Sequence, residues 1–199
     1  WRILEQTNTS AKIVYRHHGG KFGWPWSYEI TQSIHLNNLS CLMQFKLMNK
    51  SKSIMPFGFG IHPFFNFNDE IRLKFKASKE WDGQPEDFPT KTKPIENNFN
   101  IRNGRALWKN EKTVCYENFD GKIQIIWPYK KKKITIKADK IFNHLIVHVP
   151  KGEEYFCIEP VSHPTDGFNL IQAKEENIGS WFLVPNDYID GLIEIELEK

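Results

Sequence analysis

Short stretches in which hydrophobic and polar residues alternate recur along the chain, and this is the pattern of half-buried β-strands. Residues 71–76 alternate apolar side chains with Arg and Lys, and residues 39–47 place five apolar side chains on one face. Residues 28–34 predict the preceding strand, with Asn37 and Asn38 as the turn. The pattern therefore predicts antiparallel hairpins.

A second hairpin is predicted where the runs 122–127 and 133–138 flank a Pro-Tyr pair and a run of lysines, which would keep its tip and edge solvated. Further strands are predicted at 144–149, 154–158, 181–184 and 192–197. The Pro-, Asn- and charge-rich stretch 82–100 predicts a long surface loop, and 173–177 predicts one helical turn. Because no repeat and no linker interrupts the pattern, we expect a single domain over residues 1–199.

Composition supports an all-β fold. The chain has 22 isoleucines and 28 aromatic residues but only 5 alanines, and β-branched and aromatic residues favour strands. Hydrophobic residues make up 40% and charged residues 26% of the chain, which excludes a disordered or collagen-like protein. Many short strands at this spacing predict a large antiparallel β-sandwich.

Charge and cysteine content argue against several partners. The formal net charge is only +3, and 22 lysines against 5 arginines are not typical of a nucleic-acid or phosphate site. No apolar run is long enough to span a membrane. The three cysteines, Cys41, Cys115 and Cys157, are widely spaced and odd in number, which predicts free thiols in a reducing cytoplasm. We therefore expect a cytoplasmic protein that binds neither nucleic acid nor membrane.

His62 is the first candidate for acid–base chemistry. It lies in Met-Pro-Phe-Gly-Phe-Gly-Ile-His-Pro-Phe-Phe, residues 55–65, where two glycines mark a bend or a close approach of another group. The proline that follows His62 restricts its backbone to the extended region. A hydrogen-bonded core histidine is the alternative interpretation.

Glu159 is also followed by a proline, and it lies at the end of a predicted apolar strand. A buried carboxylate is costly unless it is paired or used, and burial raises its pKa toward the range of a general base. A structural glutamate with a salt-bridge partner is the alternative. His163 also precedes a proline and competes with His62 for the role of the acid.

The other histidines and the common catalytic motifs offer weaker evidence for a functional site. His17 and His18 precede two glycines, where a polar loop is expected. His144 and His148 share the spacing of zinc ligands on a helix, but they lie in a predicted strand, where this spacing separates them by about 13 Å. The chain also lacks the GxSxG, GxGxxG and P-loop motifs. No metal is expected at these histidines.

Five segments together resemble the aldose 1-epimerase (galactose mutarotase) family. Residues 55–65 resemble its P-x-G-x-G-x-HP-aromatic-F segment, and residues 156–162, Phe-Cys-Ile-Glu-Pro-Val-Ser, resemble its F-C-x-EP-x-S segment. Residues 24–29, 166–169 and 183–187 are similar to the family's WP-aromatic-x-Y, D-A-F-N and L-x-PG segments. The order and spacing agree across nearly the whole chain.

The resemblance implies a galactose mutarotase-like β-sandwich that interconverts the α and β anomers of a free hexose without metal or cofactor. It implies that Glu159 is the general base, that His62 is the general acid, and that Phe65, Trp24 and Thr113 contact the sugar. The expected partner is thus a small sugar.

The chain departs from the family pattern in two respects. Thr113 stands where the family places an Asp, and Trp1 resembles the Trp that follows the family's HGxxR segment, so that N-terminal strands are expected to be missing. Missing strands would expose a sheet edge or an apolar patch, which predicts self-association or marginal stability. The departures leave two alternatives open, a catalytically weak or inactive carbohydrate-binding remnant and a hexose-6-phosphate 1-epimerase.

Overall fold

The alternating segments form strands joined by short turns. The computed structural model describes residues 1–67, 70–81, 91–95, 98–100, 102–172 and 181–198. In chain order the strands are β1 (Arg2–Gln6), β2 (Ser10–His17), β3 (Tyr28–Leu36), β4 (Ser40–Asn49), β5 (Met55–Phe57), β6 (Phe64–Asn66), β7 (Arg72–Phe75), β8 (Lys79–Trp81), β9 (Thr92–Pro94), β10 (Arg105–Ala106), β11 (Lys112–Glu117), β12 (Lys122–Trp127), β13 (Lys132–Ala138), β14 (His144–Val149), β15 (Tyr155–Val161), β16 (Trp181–Leu183) and β17 (Tyr188–Glu198). A short helix, α1 (Gly167–Gln172), follows β15, and a 3-10 turn spans Lys21–Gly23. No helix among the described residues is both long and apolar enough to cross a membrane.

The chain divides into two compact units. The first unit comprises Trp1–Phe57 and Trp181–Glu196. Its strands are hydrogen-bonded in the order β1-β2-β3-β4-β17, with a separate antiparallel pair of β5 and β16. The predicted turn between β3 and β4 forms because the side chain of Asn37 accepts hydrogen bonds from the backbone N–H groups of Leu39 and Ser40.

The second unit comprises Gly58–Ser180 and Leu197–Lys199 and contains two groups of strands. One has the order β13-β12-β7-β10, and the other is a six-stranded sheet with the order β6-β15-β14-β11-β8-β9. Neighbouring strands in both are antiparallel. The hairpin β12–β13 runs in register from the pair Lys122 and Lys137 to the pair Trp127 and Lys132, as its sequence predicted.

The core of the second unit lies where the inner faces of these two groups of strands meet. Ile123, Ile125 and Ile136 of the hairpin are fully buried, as are Leu145 and Val147 of β14. The rings of Phe75 on β7 and Tyr116 on β11 meet edge to face at 4.9 Å, an arrangement that aromatic pairs favour. The prediction of an antiparallel all-β chain, made from strand alternation and supported by isoleucine and aromatic content, is confirmed.

Some local predictions differ from the structure or lie outside it. The loop predicted over 82–100 contains the short strand β9, and most of its other residues are outside the described ranges, as are residues 173–177. His17 is not in a polar loop, because it ends β2 and is buried. Its ring stacks on Tyr28 at 5.0 Å and its Nε2 hydrogen-bonds the carbonyl of Trp24 at 3.2 Å. Ring stacking on β3 and a hydrogen bond to the segment before β3 therefore hold this histidine.

Candidate active site

One face of the six-stranded sheet carries a row of polar and aromatic side chains. Thr113 of β11 lies opposite His148 of β14, which lies opposite Cys157 of β15, which lies opposite Phe64 of β6. Side chains directly opposite each other in antiparallel strands project to the same face of the sheet. The register therefore brings together four residues from four strands, although 93 positions separate Phe64 from Cys157 in the sequence.

Glu159 projects to the same face, two residues after Cys157 on β15. Its partner on β14 is Ile146, which packs against a cluster formed by Trp81, Cys115 and Leu170. Glu159 is only 8% exposed. Burial raises the pKa of its carboxyl group to about 6, and the charge of His62 opposes part of this rise. The result is a carboxylate whose pKa lies in the range of a general base.

His62 reaches this face on a segment that runs beside β15. Gly60 forms an antiparallel bridge with Val161, and the N–H of Ile61 donates to the carbonyl of Pro160 at 3.2 Å. Ser162 fixes the start of the segment, because its N–H donates to the carbonyl of Phe59 and its Oγ accepts from the N–H of Phe59, each at 3.0 Å. The serine of the F-C-x-EP-x-S segment thus anchors the histidine segment.

The two glycines of this segment permit the close approach. A Cβ at Gly60 would lie 2.7 Å from the carbonyl oxygen of Pro160 and 2.9 Å from the Cα of Val161, both backbone atoms. A Cβ at Gly58 would lie 2.0 Å from a ring carbon of His163. The sequence predicted a close approach at these glycines, and the structure shows that β15 and His163 are the groups that approach.

His62 and Glu159 meet at the end of this segment. The Nε2 of His62 lies 3.3 Å from the Oε1 of Glu159, with 55% of the histidine side chain exposed and 10% of the glutamate side chain exposed. The ring of His163, by contrast, hydrogen-bonds through Nδ1 to the carbonyl of Pro164 at 2.8 Å. No hydrogen bond or ion pair joins His163 to Glu159 within the described ranges. The geometry thus pairs the carboxylate with His62.

Thr113 and His148 form a second polar pair. The Oγ1 of Thr113 lies 2.7 Å from the Nδ1 of His148, so that this contact orients the imidazole ring. Burial lowers the pKa of His148, and the positive charge of His62 lowers it further, while Glu111 opposes the change. His148 therefore favours its neutral form, which can both donate and accept a hydrogen bond.

Phe64, rather than Phe65, stacks on the histidine. The rings of His62 and Phe64 are 4.9 Å apart and inclined by 23°, and Phe64 is 62% exposed. Phe65 projects to the opposite face, where its ring packs at 5.6 Å from the buried ring of Phe156. Trp24 lies in the first unit, where its ring packs at 5.1 Å from that of Trp26. The sugar contacts predicted for Phe65 and Trp24 stay predictions.

The sequence matches the family described as aldose 1-epimerase over residues 1–187. The chain belongs to the aldose 1-epimerase family. It is 24% identical over 186 residues to the uncharacterized protein YphB of Escherichia coli K12, covering 83% of this chain and 59% of YphB. The chain thus spans well under two thirds of the length of this relative.

Solved structures of aldose 1-epimerase-like proteins share the fold. A candidate aldose 1-epimerase from Escherichia coli K12 superposes with a TM-score of 0.85 at 21% identity, covering all of this chain and 68% of its own. A galactose mutarotase-like protein from Clostridium acetobutylicum gives a TM-score of 0.82 at 18% identity, with 100% and 65% coverage. The prediction of a galactose mutarotase-like β-sandwich is therefore confirmed.

Sequence reasoning missed three members of the candidate site, His148, Cys157 and Phe64. Strand alternation could have found Cys157 and Phe64, since each lies two positions from a predicted catalytic residue. His148 carried no such signal, because its place beside Thr113 depends on the pairing of β11 with β14.

Proposed function

We propose that the chain interconverts the α and β anomers of a free hexose by general acid–base ring opening. The contact between the Nε2 of His62 and the Oε1 of Glu159, 3.3 Å long and formed at a buried carboxylate, is the observation that carries this proposal. Membership of the aldose 1-epimerase family supports this reaction class. The sugar and the activity of this chain are part of the proposal.

In the proposed reaction, Glu159 accepts the proton of the anomeric hydroxyl while His62 donates a proton to the ring oxygen. The bond between C1 and the ring oxygen breaks, and an open-chain aldehyde forms. Rotation about the C1–C2 bond turns the other face of the carbonyl toward the ring-closing hydroxyl, and the reverse proton transfers close the ring. Protons are conserved over the cycle, because each group ends in the state in which it began.

The surroundings of Glu159 suit the role of the base, and the exposure of His62 suits the entry of a substrate. The pKa of Glu159 at about 6 leaves its carboxylate ionised at neutral pH yet basic enough to take a proton. The exposed side chain of His62 can move aside so that an aldose enters between the two groups. Catalytic contacts of this kind often form fully only when the substrate is bound.

Neighbouring side chains suit a sugar. Exposed Phe64 offers an aromatic ring beside His62, and aromatic faces pack against the apolar C–H groups of sugar rings. The neutral imidazole of His148, oriented by Thr113, offers a hydrogen-bonding group to a ring hydroxyl. We infer that the row from Thr113 to Phe64 forms the floor of the sugar site.

The experiment that tests the proposal follows anomerisation of freshly dissolved α-glucose and α-galactose by polarimetry or NMR. We expect Glu159→Gln to abolish the enzymatic rate, because an amide keeps the shape but cannot take the proton. We expect His62→Asn to lower the rate by about 10²–10⁴-fold, the usual contribution of a general acid. His163→Asn is the matched control and should change the rate little.

The outcomes separate the alternatives. Hexose binding by the unmodified chain without anomerisation above the buffer rate would favour a carbohydrate-binding protein over an enzyme. Activity confined to hexose 6-phosphates would assign a phosphorylated substrate. Full activity in Glu159→Gln would refute the mechanism.

A further inference from the structure

Cys157 belongs to the site, but the proposed acid–base reaction does not use it. Its Sγ, a ring nitrogen of His62 and a carboxylate oxygen of Glu159 all lie within 4.8 Å of one another. Cys157 itself is fully buried, whereas most of the His62 side chain is exposed. The three donor atoms therefore converge at a point that solvent can reach from the histidine side.

These donors are the ones that zinc prefers. Zn²⁺ binds imidazole nitrogen, thiolate sulfur and carboxylate oxygen at about 2.0–2.3 Å in tetrahedral geometry, which places pairs of donors about 3.3–3.8 Å apart. The distance of 3.3 Å between His62 and Glu159 already meets this requirement. The remaining two pairs lie within 4.8 Å and need shifts of about 1 Å. Rotation of the exposed histidine can shorten its distance to the sulfur, and rotation of the Glu159 carboxylate can shorten the distance between sulfur and oxygen.

We propose that His62, Cys157 and Glu159 bind a divalent cation of the zinc class, with a water molecule completing the coordination. The donor set selects against Mg²⁺ and Ca²⁺, which require oxygen ligands. On binding, the thiol of Cys157 loses its proton to solvent and the thiolate sulfur bonds to the metal, so that one proton is released for each cation bound from this group.

A cation at this point would block the acid and the base together. His62 could no longer donate a proton through the nitrogen that binds the metal, and the bound oxygen of Glu159 could not accept one. Zinc is thus expected to inhibit anomerisation and to compete with the sugar. This consequence rests on the proposed function, whereas the metal binding does not.

Metal binding is tested directly with Zn²⁺ and Co²⁺. We expect one cation per chain in a competition titration against a chromogenic zinc chelator. Co²⁺ should produce a near-ultraviolet thiolate-to-metal charge-transfer band, which only a bound sulfur gives. Mg²⁺ should neither bind nor displace the cobalt.

Matched variants identify the ligands. Cys157→Ser should abolish the charge-transfer band and weaken Zn²⁺ binding by about 100-fold or more, since even groups that only support a ligand contribute about 10–100-fold. Cys41→Ser, the same substitution on a strand of the first unit, should leave both unchanged. His62→Asn should weaken binding to a similar extent, and His35→Asn, at an exposed position on β3, should not.

The results separate this inference from the proposed function. Cobalt binding without a charge-transfer band, or equal affinity in Cys157→Ser and Cys41→Ser, would overturn the metal site. If Cys157→Ser does not fold, unchanged affinity in His62→Asn overturns it instead. If the chain binds metal but does not interconvert anomers, the metal site stands and the proposed function is refuted. If it interconverts anomers but binds no metal, the proposed function stands and the metal site is refuted.

Discussion

Replacing Glu159 with glutamine should make the folded protein more stable while it removes the proposed activity. The substitution keeps the shape of the side chain but removes its negative charge. In the native fold, burial raises the pKa of this carboxyl group from its ordinary value of 4.5 to about 6, which means that the fold disfavours the ionised form. At neutral pH the ionised form nevertheless predominates, so burying the charged carboxylate lowers the stability of the folded state.

The magnitude follows from the difference between the two pKa values. A difference of one corresponds to 1.36 kcal/mol, so a difference of about 1.5 corresponds to about 2 kcal/mol of stability lost at pH 7. The side chain is only 10% exposed, so solvent screening reduces this figure little. For a chain of this size, 2 kcal/mol corresponds to about 4–8 °C in Tm.

The sign of the pH dependence is fixed by linkage. Between pH 4.5 and 6 the native state binds more protons than the unfolded state at this residue, so its contribution to stability falls as the pH rises through this window. The advantage of Glu159→Gln should therefore be about 2 kcal/mol at pH 7 and should shrink toward zero near pH 4.5. Groups that do not interact with Glu159 titrate alike in both proteins and cancel in the difference.

Urea unfolding of both proteins at pH 7, 6, 5 and 4.5 measures this difference. Glu153→Gln removes the same charge from an exposed position six residues earlier and should leave the free energy of unfolding unchanged. A Glu159→Gln protein that is equally or less stable at pH 7 would refute the assignment of Glu159 as a desolvated carboxylate. An advantage that persists at pH 4.5 would show that packing rather than charge causes it.

Three further predictions concern the same site. The kcat/KM of anomerisation should fall about tenfold per pH unit below pH 6, as the carboxylate of Glu159 is protonated, and a profile that is flat from pH 7 to 5 would contradict its role as base. Gly60→Ala should lower activity and cost about 1–3 kcal/mol in urea unfolding, because its methyl group meets backbone atoms. Gly58→Ala should be milder, because its methyl group meets the side chain of His163 rather than backbone, and equal effects would refute the close approach at Gly60. Thr113→Asp should raise the pKa of His148, which NMR titration measures, and should tighten hexose binding by providing a charged acceptor. An unchanged pKa of His148 would show that the two side chains do not meet in solution.

Local sequence predicted those strands whose pattern is long enough to show a period. The runs 122–127, 133–138 and 144–149 correspond closely to β12, β13 and β14, because each alternates over six or seven residues. Strands of two or three residues, such as β6 and β10, show no period of their own. They exist because β15 and β7, far away in the chain, offer them hydrogen-bonding edges.

The site shows the same division between local and non-local information. The position of Glu159 after an apolar strand and before a proline indicated a buried functional carboxylate, and the structure shows it to be buried. The choice between Phe64 and Phe65 could not be made from the motif, because a shift of one residue in the register of β6 against β15 exchanges the faces to which the two rings project. The observed register places Phe64 opposite Cys157.

The prolines that follow the two proposed catalytic residues have different effects. Ile61 lies opposite Pro160, at a position where the two residues of an antiparallel pair normally exchange two hydrogen bonds. Here only the bond from the N–H of Ile61 to the carbonyl of Pro160 forms. Proline has no N–H group to return the second bond, so the ladder weakens one residue before His62. His62 follows this weakened point of the ladder, and Pro63 restricts its backbone to the extended region. The proline after the carboxylate thus helps to position the histidine, although about 100 residues separate the two segments in the chain.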